Sequence, residues 1–103
     1  MTQLQALKEL AVKVEAGEHG NQIRAFGDLW AKSSSAYRGS LDAAKALHEA
    51  VIDDYSFLVG MDWAEVWLPF GSEAHKFNIG NTTPARAWLI AIIRAKISEL
   101  EAK

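Results

Sequence analysis

Residues 87–93 are seven consecutive apolar side chains: Ala87, Trp88, Leu89, Ile90, Ala91, Ile92 and Ile93. They sit within TPARAWLIAIIRAKISEL, residues 83–100, whose Thr-Pro opening is a helix start signal. The Thr83 hydroxyl is placed to accept from a backbone N–H one turn on. Pro84 falls at the first helical position, where its missing N–H costs nothing and its φ already fits. A helix that is apolar all round must be covered on more than one side. Beyond Arg94 the pattern turns amphipathic, and Ile97 and Leu100 continue one stripe. Seven apolar residues are far short of the roughly 20 that cross a bilayer. The segment is therefore expected as a core helix that packs on a sheet and on other helices.

Bulk properties narrow the class without naming a function. At 103 residues with half of them apolar, the chain is expected to be one domain with its own core. It has no cysteine, which excludes disulfides, thiolate chemistry and zinc–sulfur sites. The N-terminal stretch mixes Lys and Glu into its apolar pattern and does not read as a signal peptide, so a cytoplasmic location is expected. A net charge of −2 argues against a general nucleic-acid binder, which needs a basic footprint.

Taken in order, residues 2–16 predict an amphipathic helix. Leu4, Leu7, Ala11 and Val14 share a face with Leu10 at its edge, and Thr2 and Gln5 stand at capping-box spacing. Gly17 is the stop signal. Asn21 is the candidate cap of a second helix carrying Ile23, Phe26 and Trp30, although Gly27 interrupts the pattern. Ser33, Ser34 and Ser35 read as a polar linker. Ser40 caps a third helix with Asp42 in its first turn and a stripe of Leu41, Ala44, Leu47 and Val51. Strands are expected over residues 55–59, 63–68 and 74–79, separated by Gly60–Met61–Asp62 and by FGSE. The order α–α–α–β–β–β–α predicts an α+β fold: a three-stranded antiparallel sheet packed on two helices, an α-β-β-β-α core over residues 36–103, with residues 1–35 as a helical extension.

Two motifs resemble a known family. The run AYRGSLDAAKALHEAV, residues 36–51, resembles the "Y-T-x-S-L-D-A-A" helix start of a family of small phage and prophage proteins common in alphaproteobacteria. TPARAWLIAIIRAKI, residues 83–97, is similar to the "A-T-P-A-L-A-L-C-x-A-x-L-R-A" final helix of the same family, which is labelled a phage α/β sandwich domain. Coverage runs from Tyr37 to Leu100. The resemblance implies an α/β sandwich and a phage or mobile-element gene context; it implies no activity and no catalytic residues.

The chemistry-bearing candidates point to binding rather than to catalysis. Trp63 and Trp67 flank Glu65 on one face of the second strand, and paired tryptophans are binding anchors when exposed. The competing reading has a helix from the first 35 residues covering that face and making the indoles core. From Asp42 to Glu73 there are seven acidic residues against one basic residue, Lys45. That stretch holds Asp53, Asp54, Asp62 and Glu65, and it either steers the chain to a basic partner surface or is a solvated face. His19, His48 and His75 lack metal-ligand spacing and read as ordinary histidines. Adjacent Asp53 and Asp54 diverge on any regular backbone. No phosphate loop, nucleophile elbow or HExxH is present, so no enzyme, no cofactor and no metal are expected.

These observations predict a phage accessory protein that binds and inhibits a host protein, most concretely an anti-CRISPR-like inhibitor of a defence complex. Its contact residues are expected to be Asp53, Asp54, Asp62, Trp63, Glu65 and Trp67. Two other readings stay open. One is a phage structural protein that self-associates, as a homodimer or larger, through residues 87–93. The other is an RNA-binding domain, disfavoured because only one cation, Arg86, sits at the start of the last helix. Neither a membrane nor direct nucleic-acid contact is expected.

Overall fold

A computed structural model of the chain describes residues 2–18, 20, 22–51, 57–60, 63–67, 74–78 and 83–101. Five α-helices dominate it: α1 (Gln3–Glu15), α2 (Gln22–Phe26), α3 (Trp30–Tyr37), α4 (Leu41–Val51) and α5 (Pro84–Glu101), with a 3-10 turn (Gly27–Leu29) between α2 and α3.

Local chemistry sets the helix ends. At the start of α1 the Gln5 N–H donates to Thr2 Oγ1 at 3.2 Å, and the Thr2 N–H donates back to Gln5 Oε1 at 3.0 Å. At its end Gly17 takes φ +80°, the Gly17 N–H reaches the Val14 carbonyl, and the Glu18 N–H reaches that of Lys13. Two otherwise orphaned carbonyls are thereby satisfied. The same closure ends α3, with Gly39 at φ +109°, the Gly39 N–H on the Ala36 carbonyl and the Ser40 N–H on that of Ser35. Ser40 then starts α4 at once, its Oγ accepting from the Ala43 N–H at 3.2 Å. Thr83 caps α5 as expected, accepting from the Arg86 N–H at 3.1 Å.

The core forms around α5. Every residue of its apolar run is buried: Leu89, Ile90, Ile92 and Ile93 are 0% exposed and Trp88 is 4% exposed. Each buried aliphatic side chain of this kind contributes about 1.5–3 kcal/mol. Alanines at 87, 91 and 95, also fully buried, let neighbours approach the helix closely. α5 packs against α1, α3 and α4, and it is the helix that lies along the strands. α1 runs antiparallel to it, with Lys8 paired to Glu101 at one end and Glu15 to Arg94 at the other. Leu7, Leu10, Ala11 and Val14 of α1 fill the seam.

The expected fold class is corrected. The chain is mostly helical, and neither a sheet-centred α+β domain packed on two helices nor the α/β sandwich implied by the resemblance describes it. The reason lies in α5. A run that is apolar on every side needs covering on every side, and α1, α3 and α4 cover it together with the strands. Residues 57–78 contribute short segments only: β1 (Phe57–Val59), β2 (Trp63–Trp67) and β3 (Ala74–Asn78), paired antiparallel in the order β1-β2-β3. Ala64 stands opposite Val59 on one side and Phe77 on the other, and is fully buried. α4, expected on the sheet, packs on α3 and α5 instead.

Three smaller expectations also change. The helix anticipated through Ile23, Phe26 and Trp30 is broken by the 3-10 turn, which resets its phase; Phe26 is buried while Ile23 and Trp30 are 60% and 48% exposed. The serines expected as a linker lie inside α3, where Ser33 and Ser34 are buried because small side chains let α3 sit close to its neighbours. Leu41, assigned to the α4 stripe, is 47% exposed.

Candidate functional site

The exposed Leu41 belongs to an open cleft of about 590 Å³ where the first turns of α4 and α5 meet the end of β1. α4 supplies Leu41, Asp42 and Lys45; Val59 and Gly60 come from the end of β1; α5 supplies Pro84 and Trp88. The geometry follows from helix starts. Leu41 and Pro84 are the first residues of their helices, so the caps Ser40 and Thr83 fix where both side chains stand. Tyr37 ties the two starts together. Its carbonyl accepts from Arg86 Nε at 3.0 Å, and the guanidinium carbon lies 4.0 Å from the centre of the Tyr37 ring. The Tyr37 hydroxyl donates to the Gly17 carbonyl at 2.8 Å, which brings the end of α1 into the same clasp.

The walls of the cleft are apolar and its rim is charged. Lys45 leans toward Glu49 at 3.9 Å, but both side chains are more than 60% exposed, so the pair adds little to stability. Beneath the apolar wall lies one buried polar bond. Trp88 Nε1–H donates to His48 Nδ1 at 3.1 Å, with His48 2% and Trp88 4% exposed. The ring centres are 5.7 Å apart and tilted by 57°, so the contact is an edge-on hydrogen bond rather than a stack. An apolar concavity with few polar groups suits an apolar side chain of a partner. Among the described residues no group of three His, Cys, Asp or Glu side chains is placed to hold a metal ion.

Of the residues expected as the contact set, three are on a described strand. Asp53, Asp54 and Asp62 fall outside the described residues. Trp63, Glu65 and Trp67 are on β2, where their Cα partners on β3 are Asn78, Lys76 and Ala74. Ala64, between Trp63 and Glu65 in this strand, is buried. The N-terminal helices, weighed as a cover for the tryptophan face, pack on α5 and on one another. Residues 87–93, expected to present an apolar helix to a second copy, are buried within this chain. Among the described residues no helix is long and apolar enough to cross a membrane.

The chain matches no family model, no curated protein and no solved structure.

Proposed function

We propose that this chain is a non-catalytic accessory protein of a phage or mobile element that acts in the cytoplasm of a bacterial host by occupying a host protein. The most concrete target is a defence complex that handles nucleic acid. The observation that carries the binding reading is the cleft: an apolar hollow beside the half-exposed Leu41, between two capped helix starts. The resemblance of residues 36–51 to a helix start and of residues 83–97 to the final helix of a phage family supports the gene context. The acidic stretch between Asp42 and Glu73 supports a basic partner surface, because it raises the association rate toward such a surface.

A Leu41→Asp variant tests this reading. Leu41 is outside the core, so its replacement changes folding stability by no more than about 0.5 kcal/mol. Immobilised wild-type protein is expected to retain one host protein in stoichiometric amount, and the variant is expected to lose it while keeping the same thermal melt. Identical retention by both proteins, or no stoichiometric partner for either, overturns the proposal.

A further inference from the structure

We propose that the cleft takes an extended segment of a partner protein, which adds to the outer edge of β1 and seats an apolar side chain against Leu41, Pro84 and Trp88. This rests on the cleft being the binding site and names the form of what it binds. The sheet supplies the first reason. In the order β1-β2-β3, β1 has one neighbouring strand among the described residues, so its other edge offers backbone N–H and C=O groups to an added strand. The helices supply the second. α5 lies along the strands and α4 packs beside α5, and the first turns of both wall a space beside β1. Val59 and Gly60, at the end of that strand, belong to the same wall. A strand added about 4.8 Å from β1 directs alternate side chains to one face. The cleft, at about 590 Å³, has room for an aliphatic one. In this mode main-chain bonds supply the affinity and the pocketed side chain supplies the choice.

Charge narrows the occupant further. Among the described residues the charged groups on the cleft wall are Asp42 and Lys45, both on α4 and both exposed. Lys45 is directed to Glu49, whereas Asp42 has no ion pair among the described residues. The rim formed by Asp42, Lys45 and Glu49 is therefore negative on balance. An apolar residue flanked by Lys or Arg complements it, and one flanked by Asp or Glu is opposed. A second copy of this chain fits less well, because it brings the same acidic stretch, residues 42–73, to the contact.

The test titrates isotope-labelled full-length protein with three synthetic probes: acetyl-KVLVK-amide, its acidic counterpart acetyl-EVLVE-amide, and the basic peptide N-methylated at its three central residues, which cannot complete a strand ladder. The readouts are the backbone amides of Val59 and Gly60 and the methyl groups of Leu41. The basic peptide is expected to shift all of them saturably by about 5 mM, the range of a short contact. The acidic peptide is expected to bind about fivefold more weakly, with the gap shrinking in about 1 M salt and in Asp42→Asn. The N-methylated peptide is expected to leave them unmoved. No saturable shift from the basic peptide, equal shifts from the N-methylated one, or equal binding of the acidic one overturns the proposal. So do shifts at Val59 and Gly60 that follow protein concentration without peptide, which give the edge to a second copy. Failure here is distinct from failure of the host-binding reading. A host protein lost from Leu41→Asp while the peptides stay inert keeps that reading and removes this one; peptide binding without a host partner does the reverse.

Discussion

α5 has two seams, and they are built differently. On the α1 side the contact is aliphatic and closed: Leu7, Leu10, Ala11 and Val14 are all at most 2% exposed, and ion pairs join Lys8 to Glu101 and Glu15 to Arg94. On the α4 side the seam holds a buried polar bond and opens into the cleft. One helix thus uses one flank for packing and the other for a hollow with a directional bond beneath it. Aliphatic contact is tolerant of orientation, whereas a hydrogen bond between two rings fixes both. The first seam supplies stability and the second supplies a defined shape.

Breaking the closed seam gives the largest effect. Leu10→Ala is expected to cost about 3 kcal/mol, because a fully enclosed leucine leaves a cavity. Chemical denaturation reads this as a lower midpoint at unchanged slope. On the open seam His48→Phe is expected to cost about 2 kcal/mol, since it strands a buried indole donor. Adding Trp88→Phe in that background should cost less than Trp88→Phe alone, and strict additivity would show that the bond contributes no coupling. The ends of the closed seam separate the smallest effects. Arg94 holds both oxygens of Glu15 at 2.7 and 2.8 Å with about a third of each side chain exposed, so Glu15→Gln should cost about 1 kcal/mol. Lys8 and Glu101 are half exposed at 3.1 Å, and Lys8→Ala should cost less than about 0.5 kcal/mol and nothing measurable in about 1 M salt. Equal losses at both ends would mean that burial does not set the strength of these pairs.

Much of the closed seam was legible in the sequence and little of the open one was. Thr2, Ser40 and Thr83 were readable as caps because capping is local: a short polar side chain, then a periodic run. The burial of α5 was readable because seven apolar residues in a row leave no solvent face. The balance of helix and sheet is not legible, because alternation in residues 55–79 marks strands without saying how much of α5 they share with α1, α3 and α4. The cleft escaped notice because Leu41 fits the α4 stripe by spacing. As the first residue of α4 it is half exposed, which spacing alone does not show. His48 bonding Trp88 spans 40 residues, a distance no local pattern encodes.

The Glu15–Arg94 contact joins residues 79 positions apart, and the helix at the centre of the body follows in the chain every element that covers it. During synthesis α1 to α4 emerge from the ribosome with their oily sides already made and nothing to lay them against. Long-range contacts of this kind slow folding, and surface left waiting invites aggregation. A nascent chain stalled before Pro84 would therefore be a ready client for a chaperone, and release of the next eighteen residues would end that dependence in one cooperative step.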